Sequence, residues 1–403
     1  MTIHGESTDQ YVGIFGEASH FTGDLHVGSG ALRIGAPTQL GAGDIFVGEG
    51  AQLVLGSNRP DDGQTVVERD IHVHRGSLYA TPPSDTFEPD SPNGLIAGDV
   101  YVHDVAFFGA NGHGKFNNQS VPGLILGGEV LLDDGAMVIG RTRDNAVFFG
   151  SDVPLIEVAG DLQVGKDNVW RLELANLGVT GTIRAGAPEA SIDFQGLPSL
   201  LDLDQATIEA EAGRTLSITV NRAPRDMHLA TSGAGLMGDG SLAGNFNLSN
   251  GAAVAPGSSP GTLTIVGDLE LGPGGVYEWE IDDLAAEPGV GWDLLDVEGA
   301  LAFSATPESP WLLEVNVLEH ALALRGSEWL IASATTIDGF DSASVQVTLR
   351  NVGDTFQRSA PGQLSVELRG ADLYLVQTVP EPASLPGMVF LCLMLSTYLR
   401  SRQ

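Results

Sequence analysis

A short segment, Gly-Asp followed by an apolar, a variable and a second apolar residue, returns along this chain and restricts its possible folds more than any other feature. It stands as Gly23-Asp24-Leu25-His26-Val27-Gly28, Gly43-Asp44-Ile45-Phe46-Val47-Gly48, Arg69-Asp70-Ile71-His72-Val73-His74, Gly98-Asp99-Val100-Tyr101-Val102-His103 and Gly160-Asp161-Leu162-Gln163-Val164-Gly165. Gly267-Asp268-Leu269-Glu270-Leu271-Gly272 closes the series. Most copies are followed by a second apolar run, as in Gly30-Ala31-Leu32-Arg33-Ile34, Gly50-Ala51-Gln52-Leu53-Val54-Leu55, Gly76-Ser77-Leu78-Tyr79 and Gly135-Ala136-Met137-Val138-Ile139. Each unit therefore reads as two strands and two turns. Strand alternation sends Leu25, Val27, Leu32 and Ile34 to one interior and leaves Asp24, His26 and Arg33 toward water.

The copies lie about 20 to about 30 residues apart, the length of a solenoid rung with variable loops. The expected fold is all-β, a right-handed parallel β-helix with a C-terminal β cap. Stacked rungs bury one Leu/Ile/Val core and leave unpaired strand edges only at the two ends. A β-sandwich explains alternation and turns equally well, but not the recurring Gly-Asp opening. The 53 glycines agree with many tight turns and few helices. Strands at Leu312 to Leu318, Glu328 to Ser333 and Asp372 to Gln377 supply the cap, and the Pro-rich stretch from Thr81 to Asn93 is an excursion from the solenoid.

Charge narrows the partners. With 52 acidic residues against 19 Lys plus Arg, the formal net charge is −33. Such a surface repels phosphate backbones, so nucleic acid is not an expected partner. The acidity suits solubility, divalent cations or a hydrated polysaccharide matrix. Cys392 is the only cysteine, which leaves no disulfide and no cysteine-ligated metal within one chain.

The C-terminal end is the more informative one. From Leu385 to Leu399 the chain is almost wholly apolar and carries no charge, and Arg400 and Arg402 follow at once. At about 1.5 Å per residue this run spans little more than 20 Å as a helix, short of the roughly 30 Å of a hydrocarbon core. It reads as a short, transient membrane helix with the arginines on the cytoplasmic side and everything before Val379 outside. Met1 to Gln10 shows no basic n-region, apolar h-region or cleavage site, so an exported chain of this kind is expected to start further upstream.

Directly before the apolar run stands Val379-Pro380-Glu381-Pro382-Ala383-Ser384. Two prolines keep this segment extended and remove two backbone donors. The order of Val-Pro-Glu-Pro, apolar helix and terminal arginines resembles the PEP-CTERM sorting domain of Gram-negative bacteria. That resemblance implies recognition at Pro380, Glu381 and Pro382 by exosortase, a membrane protease or transpeptidase, and transient insertion into the inner membrane. Pro386 and Gly387 interrupt the helix early, and two arginines replace a longer basic run, which bears on processing efficiency.

A second resemblance covers roughly residues 233 to 300. Gly238-Asp239-Gly240-Ser241-Leu242-Ala243-Gly244-Asn245-Phe246, then Ala255-Pro256-Gly257-Ser258-Ser259-Pro260-Gly261-Thr262-Leu263, is similar to autotransporter-type β-helix repeats. Tyr277-Glu278-Trp279-Glu280-Ile281 and Trp292-Asp293-Leu294-Leu295-Asp296-Val297 continue in the same manner. It implies passenger-like surface architecture and nothing about catalysis.

Chemistry-bearing residues are few. His72, His74 and His103 fall at matching positions of successive rungs, so His72 and His103 are expected to stack, with Asp104 beside them. Three such histidines make a metal conceivable, but solvated polar residues are the expected outcome, and neither metal nor cofactor is assigned. The pairs Asp61-Asp62, Asp133-Asp134 and Asp282-Asp283 have the residue types for calcium binding or acid-base cleavage of polysaccharide. Their spacing singles none out, and a turn Asp pair ordinarily serves the turn itself. No Gly-x-Ser-x-Gly elbow, phosphate loop, dinucleotide fingerprint or His-Glu-x-x-His is present.

The expectation is thus a β-helix ectodomain over 1–268, terminal rungs and β cap over 269–378, and a sorting tail over 379–403 with its membrane helix at 385–399. The expected role is non-enzymatic: an exported, exosortase-sorted envelope or matrix protein at the cell surface, possessing a structural or adhesive face and an affinity for exopolysaccharide. The alternative is a β-helix polysaccharide lyase or glycosidase.

Overall fold

The computed structural model describes residues 1–378 except 6–10, 15–21, 36–39, 57–64, 81–93, 111–114, 117–118, 121, 142–154, 174–175, 197–200, 204, 212–213, 222–226, 230, 232–233, 258–259, 319–327 and 351–362. The expected excursion at Thr81 to Asn93 and the whole sorting tail lie outside the described residues.

The chain is an all-β parallel solenoid. Its first sheet runs through 14 strands, from Thr2–Ile3 by way of Leu25–Val27, Ile45–Val47, Ile71–Val73, Val100–Val102 and Val130–Leu132 to Val345–Arg350. Neighbours are parallel and in register, as in Leu25 on Ile45, Ile45 on Ile71 and Val100 on Val130. The second strand of each coil builds a second ladder through Ala31–Ile34, Gln52–Leu55, Ser77–Ala80, Val105–Ala110 and Met137–Gly140.

Among the described residues, coils from Thr65 onward also hold a third strand that the two-strand unit does not anticipate. Thr65–Val67, Gly94–Ile96, Pro122–Leu126, Leu155–Val158, Asn176–Val179 and Leu201–Asp202 form a six-stranded parallel sheet. The stretches of chain before these segments differ in length, which is why no fixed spacing announces them. In later coils the third position passes to Met227–Leu229, Phe246–Leu248 and Leu269–Leu271, and the second and third ladders merge in the long strand Leu294–Phe303.

Inward residues form one continuous core. Leu25, Val27, Leu32 and Ile34 are buried as alternation requires, and so are their counterparts rung after rung. Arg33 departs from expectation: it is buried, and its Nε donates to Gly56 O at 3.0 Å. The second ladder is covered on both faces here, for Val54 and Tyr79 in the same outward column are buried too. Towards the C-terminus the first-sheet strands lengthen to six and seven residues at Val276–Ile281 and Trp311–Val317. The wider cross-section is filled by Trp279, Trp311 and Trp329, all fully buried, because aliphatic side chains alone leave voids at native packing density.

The Gly-Asp opening is a corner motif, and its geometry explains both residues. Asp24 Oδ1 accepts the backbone N–H of Asp44 at 3.1 Å, Asp70 Oδ1 that of Asp99 at 2.9 Å, and Asp99 Oδ1 that of Glu129 at 2.8 Å. Each carboxylate thus satisfies a donor of the next coil, at a corner where the chain turns away from ladder pairing. The glycines pack backbone on backbone. A Cβ on Gly98, Gly128, Gly160 or Gly181 would fall well inside 3.0 Å of the carbonyl of the residue stacked beneath it.

Arg69 replaces the glycine in one copy, and its guanidinium turns back over the corner to donate to the carbonyls of Gly23, Gly41 and Ala42. The Gly267-Asp268 copy occupies a different corner from the rest. It precedes the third strand of its coil, where Asn245 Oδ1 accepts Asp268 N–H at 3.1 Å and Asp268 Oδ1 accepts Ala300 N–H at 2.8 Å. The same local solution therefore serves two corners.

Parallel stacking ends at the cap. Asp372–Thr378 pairs antiparallel with both Glu328–Asp338 and Gln363–Arg369, whereas the earlier ladders are parallel apart from the short pair Lys115–Phe116 and Gln119–Ser120. Antiparallel strands close the ladder because they reverse the chain without another full coil.

Candidate functional site

Three-residue strands of the first sheet send their outer residues inward and their central residue out. Register aligns those central residues into a column: His26, Phe46, His72, Tyr101, Leu131 and Gln163. Ladder spacing of about 4.8 Å suits ring stacking. The His26 and Phe46 centroids are 4.7 Å apart, Phe46 and His72 4.7 Å, and His72 and Tyr101 4.5 Å, with planes within 12° of parallel. Rings stacked along the solenoid spend their faces on one another and present edges to solvent. This column pins register, and it is not a platform on which a sugar ring can lie flat.

The histidines do meet, in a different register from the expected one. His72 is the partner of Tyr101, and His74 follows Val73 as His103 follows Val102. His74 and His103 accordingly stack at 4.2 Å. His72 Nδ1 faces His103 Nε2 at 3.1 Å, His103 Nδ1 meets Asp133 Oδ2 at 2.8 Å, and His72 Nε2 lies 3.6 Å from Asp44 Oδ2. A line of contacts, Asp44 to His72 to His103 to Asp133, therefore crosses four coils. Partial desolvation, with the neighbouring His103 ring, holds His74 below the ordinary histidine range against the opposing pull of Asp104.

This geometry is not that of a metal centre. The two rings are coplanar within 2° and their nitrogens point at each other, so their lone pairs do not converge on a third point. Asp104 is engaged elsewhere, accepting the backbone N–H and the Nε–H of Arg75. Among the described residues no group of three or more His, Cys, Asp and Glu is arranged to hold a metal ion.

The acidic pairs singled out in the sequence separate. Asp133 goes to His103, while Asp134 Oδ1 accepts Lys166 N–H at 2.7 Å. Asp283 Oδ1 closes its own turn on Ala285 N–H. Asp61-Asp62 lies outside the described residues. The structure instead assembles a pair that sequence spacing concealed. Glu278 and Glu314 are register partners on adjacent coils, both on the outer face of the first sheet. Glu314 is buried and ion-paired with Arg350, itself a coil further on. Burial, reinforced by Glu314 and opposed by Arg350, raises the Glu278 carboxyl above its ordinary range. The signal for this pair is in the sequence only once Tyr277-Glu278-Trp279 and Leu313-Glu314-Val315 are known to stack.

A buried carboxylate stands nearby with a structural task. Asp293 is 1% exposed and accepts Gly261 N–H at 2.9 Å and Glu280 N–H at 2.8 Å. It ties the Pro260-Gly261 corner to Val276–Ile281, which gives the Trp292-Asp293 segment its place in the repeat.

The sorting-signal residues Val379, Pro380, Glu381, Pro382, Ala383 and Ser384, the apolar run from Leu385 to Leu399, and Arg400 and Arg402 lie outside the described residues. Among the described residues no helix is long and apolar enough to cross a membrane.

No family model matches the chain, and no curated protein matches it. Among solved structures it is similar to the crystal structure of the Haemophilus influenzae Hap adhesin, at 12% identity and a TM-score of 0.38. The similarity covers 94% of this chain and 47% of that one, so the chain spans about half the length of the adhesin chain it matches.

Proposed function

We propose that the protein is an exported, exosortase-sorted envelope or extracellular-matrix protein of a Gram-negative bacterium, whose right-handed solenoid serves a structural or adhesive role without catalysis. The observation that carries this reading is the tripartite tail. Val379-Pro380-Glu381-Pro382, the apolar run from Leu385 to Leu399, and Arg400 with Arg402 begin directly after the last cap strand, Asp372–Thr378. Processing by exosortase at the inner membrane, with the apolar run as a short transmembrane helix, follows from that order of parts. Release then places the acidic body at the cell surface or in the matrix, where exopolysaccharide is the natural neighbour.

The solenoid supports such a role physically. Its ladders leave few unpaired edges, and with a single cysteine the chain holds no internal disulfide. The test is deletion of Val379 to Gln403 in the exporting host. Loss of surface display, with unchanged β-type circular dichroism of the remaining body, is expected; unaltered display would refute the reading. Mass spectrometry of the mature C-terminus separates a processed signal from a lasting anchor.

A further inference from the structure

A shallow trough of about 380 Å³ lies on the outer face of the first sheet toward its C-terminal end. Its floor is low because two successive coils place Gly235 and Ala253 in the outward column where the next two place Val276 and Leu312. Met237, 42% exposed, flanks it, and Glu278, Glu314 and Arg350 line its polar side. The trough therefore joins a small apolar surface to a charged end.

The charges at that end do not balance. Arg350 answers Glu314, which is buried, and Glu278 is left as a second carboxylate in the same column. Among the described residues no hydrogen bond reaches the Glu278 carboxylate, and Glu280 adds a further negative charge on the same strand. A carboxylate only accepts hydrogen bonds, so a ligand completing this site must donate them and carry positive charge. An ammonium has three donors and no acceptor, and an attached methylene stem fits the apolar floor.

We propose that this trough is a docking site for a lysine side chain of a partner protein, with the stem on Ala253, Val276 and Leu312 and the ammonium on Glu278. The net charge of −33 attracts cations from every direction, and here the surface sets an apolar seat beside a half-buried carboxylate that shares its one nearby cation, Arg350, with Glu314. The inference does not depend on export or sorting: the purified body carries the site whether or not the tail is processed.

The probe is Nα-acetyl-lysine methylamide, titrated at physiological salt into protein with ¹³C-methyl methionine, the Met237 signal being assigned by Met237→Leu. A saturable shift of Met237 is expected, with none from the Nα-acetyl-norleucine analogue, which keeps the stem and lacks the ammonium. Glu278→Gln should weaken binding about tenfold, and Ala253→Leu, which fills the floor, should abolish it. Glu298→Gln removes one exposed carboxylate from a different face and should leave affinity unchanged. Equal weakening by Glu298→Gln, an equal response to the norleucine analogue, or tighter binding of glucosamine than of the lysine probe would each overturn the proposal.

Discussion

Replacing Gly160 with alanine tests the corner geometry on which the whole stack depends. A Cβ at this position meets the carbonyl oxygen and carbon of Gly128 and the carbonyl oxygen of Gly127, all closer than 3.0 Å. Those atoms are backbone held by the ladders on either side, with Val130 on Leu162 and Leu131 on Gln163, so no flexible side chain can move aside. Overpacking against a rigid surround destabilises by about 1–3 kcal/mol, and the backbone contact places Gly160→Ala at the upper end, about 3 kcal/mol. Gly135 supplies the comparison. It sits in the turn between Val130–Leu132 and Met137–Gly140 of the preceding coil, at φ +75°, with nothing within 4 Å of an added Cβ. Gly135→Ala therefore meets only the left-handed backbone penalty, about 1–2 kcal/mol. Equilibrium urea unfolding followed by fluorescence reports both changes, since Trp170 is buried in the adjoining strand Asn168–Leu172. The expected order is Gly160→Ala more destabilising than Gly135→Ala by at least about 1 kcal/mol. The reverse order would refute the claim that stacked backbone, and not turn conformation, selects glycine at this corner.

Other positions give further tests. Asp99→Ala leaves the Glu129 N–H without its acceptor and should lower stability by about 1–2 kcal/mol, whereas Asp99→Asn retains an acceptor oxygen and should lose less; urea midpoints distinguish them. Arg69→Gly restores the commonest residue of the repeat yet strips donors from Gly23, Gly41 and Ala42, so a loss of about 2 kcal/mol is expected by thermal unfolding, and a gain would show the guanidinium to be dispensable. Burial pushes the Asp293 carboxyl up to about 8, against the two backbone N–H groups that favour its charge. The unfolded value is about 4, so between about pH 4 and about pH 8 the folded chain holds a proton that the unfolded chain releases. Stability from this group is full below that window and falls as pH rises through it; Asp293→Asn should flatten the slope of urea midpoint against pH, and an unchanged slope would count against a buried neutral carboxyl.

The solenoid is legible in the sequence because its cause is local and periodic. The Leu25-His26-Val27 pattern carries inward, outward and inward positions within three residues, and Gly-Asp marks a corner whose steric and hydrogen-bonding demands recur. The third strand is not legible because the stretches of sequence before it differ in length, so its spacing from the corner is not constant. Arg33 was assigned to water by alternation, and alternation is silent about a sheet covered on both faces. His72 and His103 were expected together and are together, but through a slanted contact between neighbouring columns, with Tyr101 in the matching place.

The site residues divide along the same line. Val379 to Ser384, Arg400 and Arg402 are legible without any structure, since order along the chain is the whole of their signal. Glu278 and Glu314 are not, because the 282–310 segment between their strands hides the register that makes them neighbours.

By itself the sequence determined the periodic core, the recurring Gly-Asp pair and the tripartite tail, for each is written in residues adjacent along the chain. Only the tertiary structure decided which coils stack in which register, and with it which side chains separated by tens of residues share a face. That choice is made by packing across about 4.8 Å between coils, a distance to which connections of varying length give the linear sequence no guide.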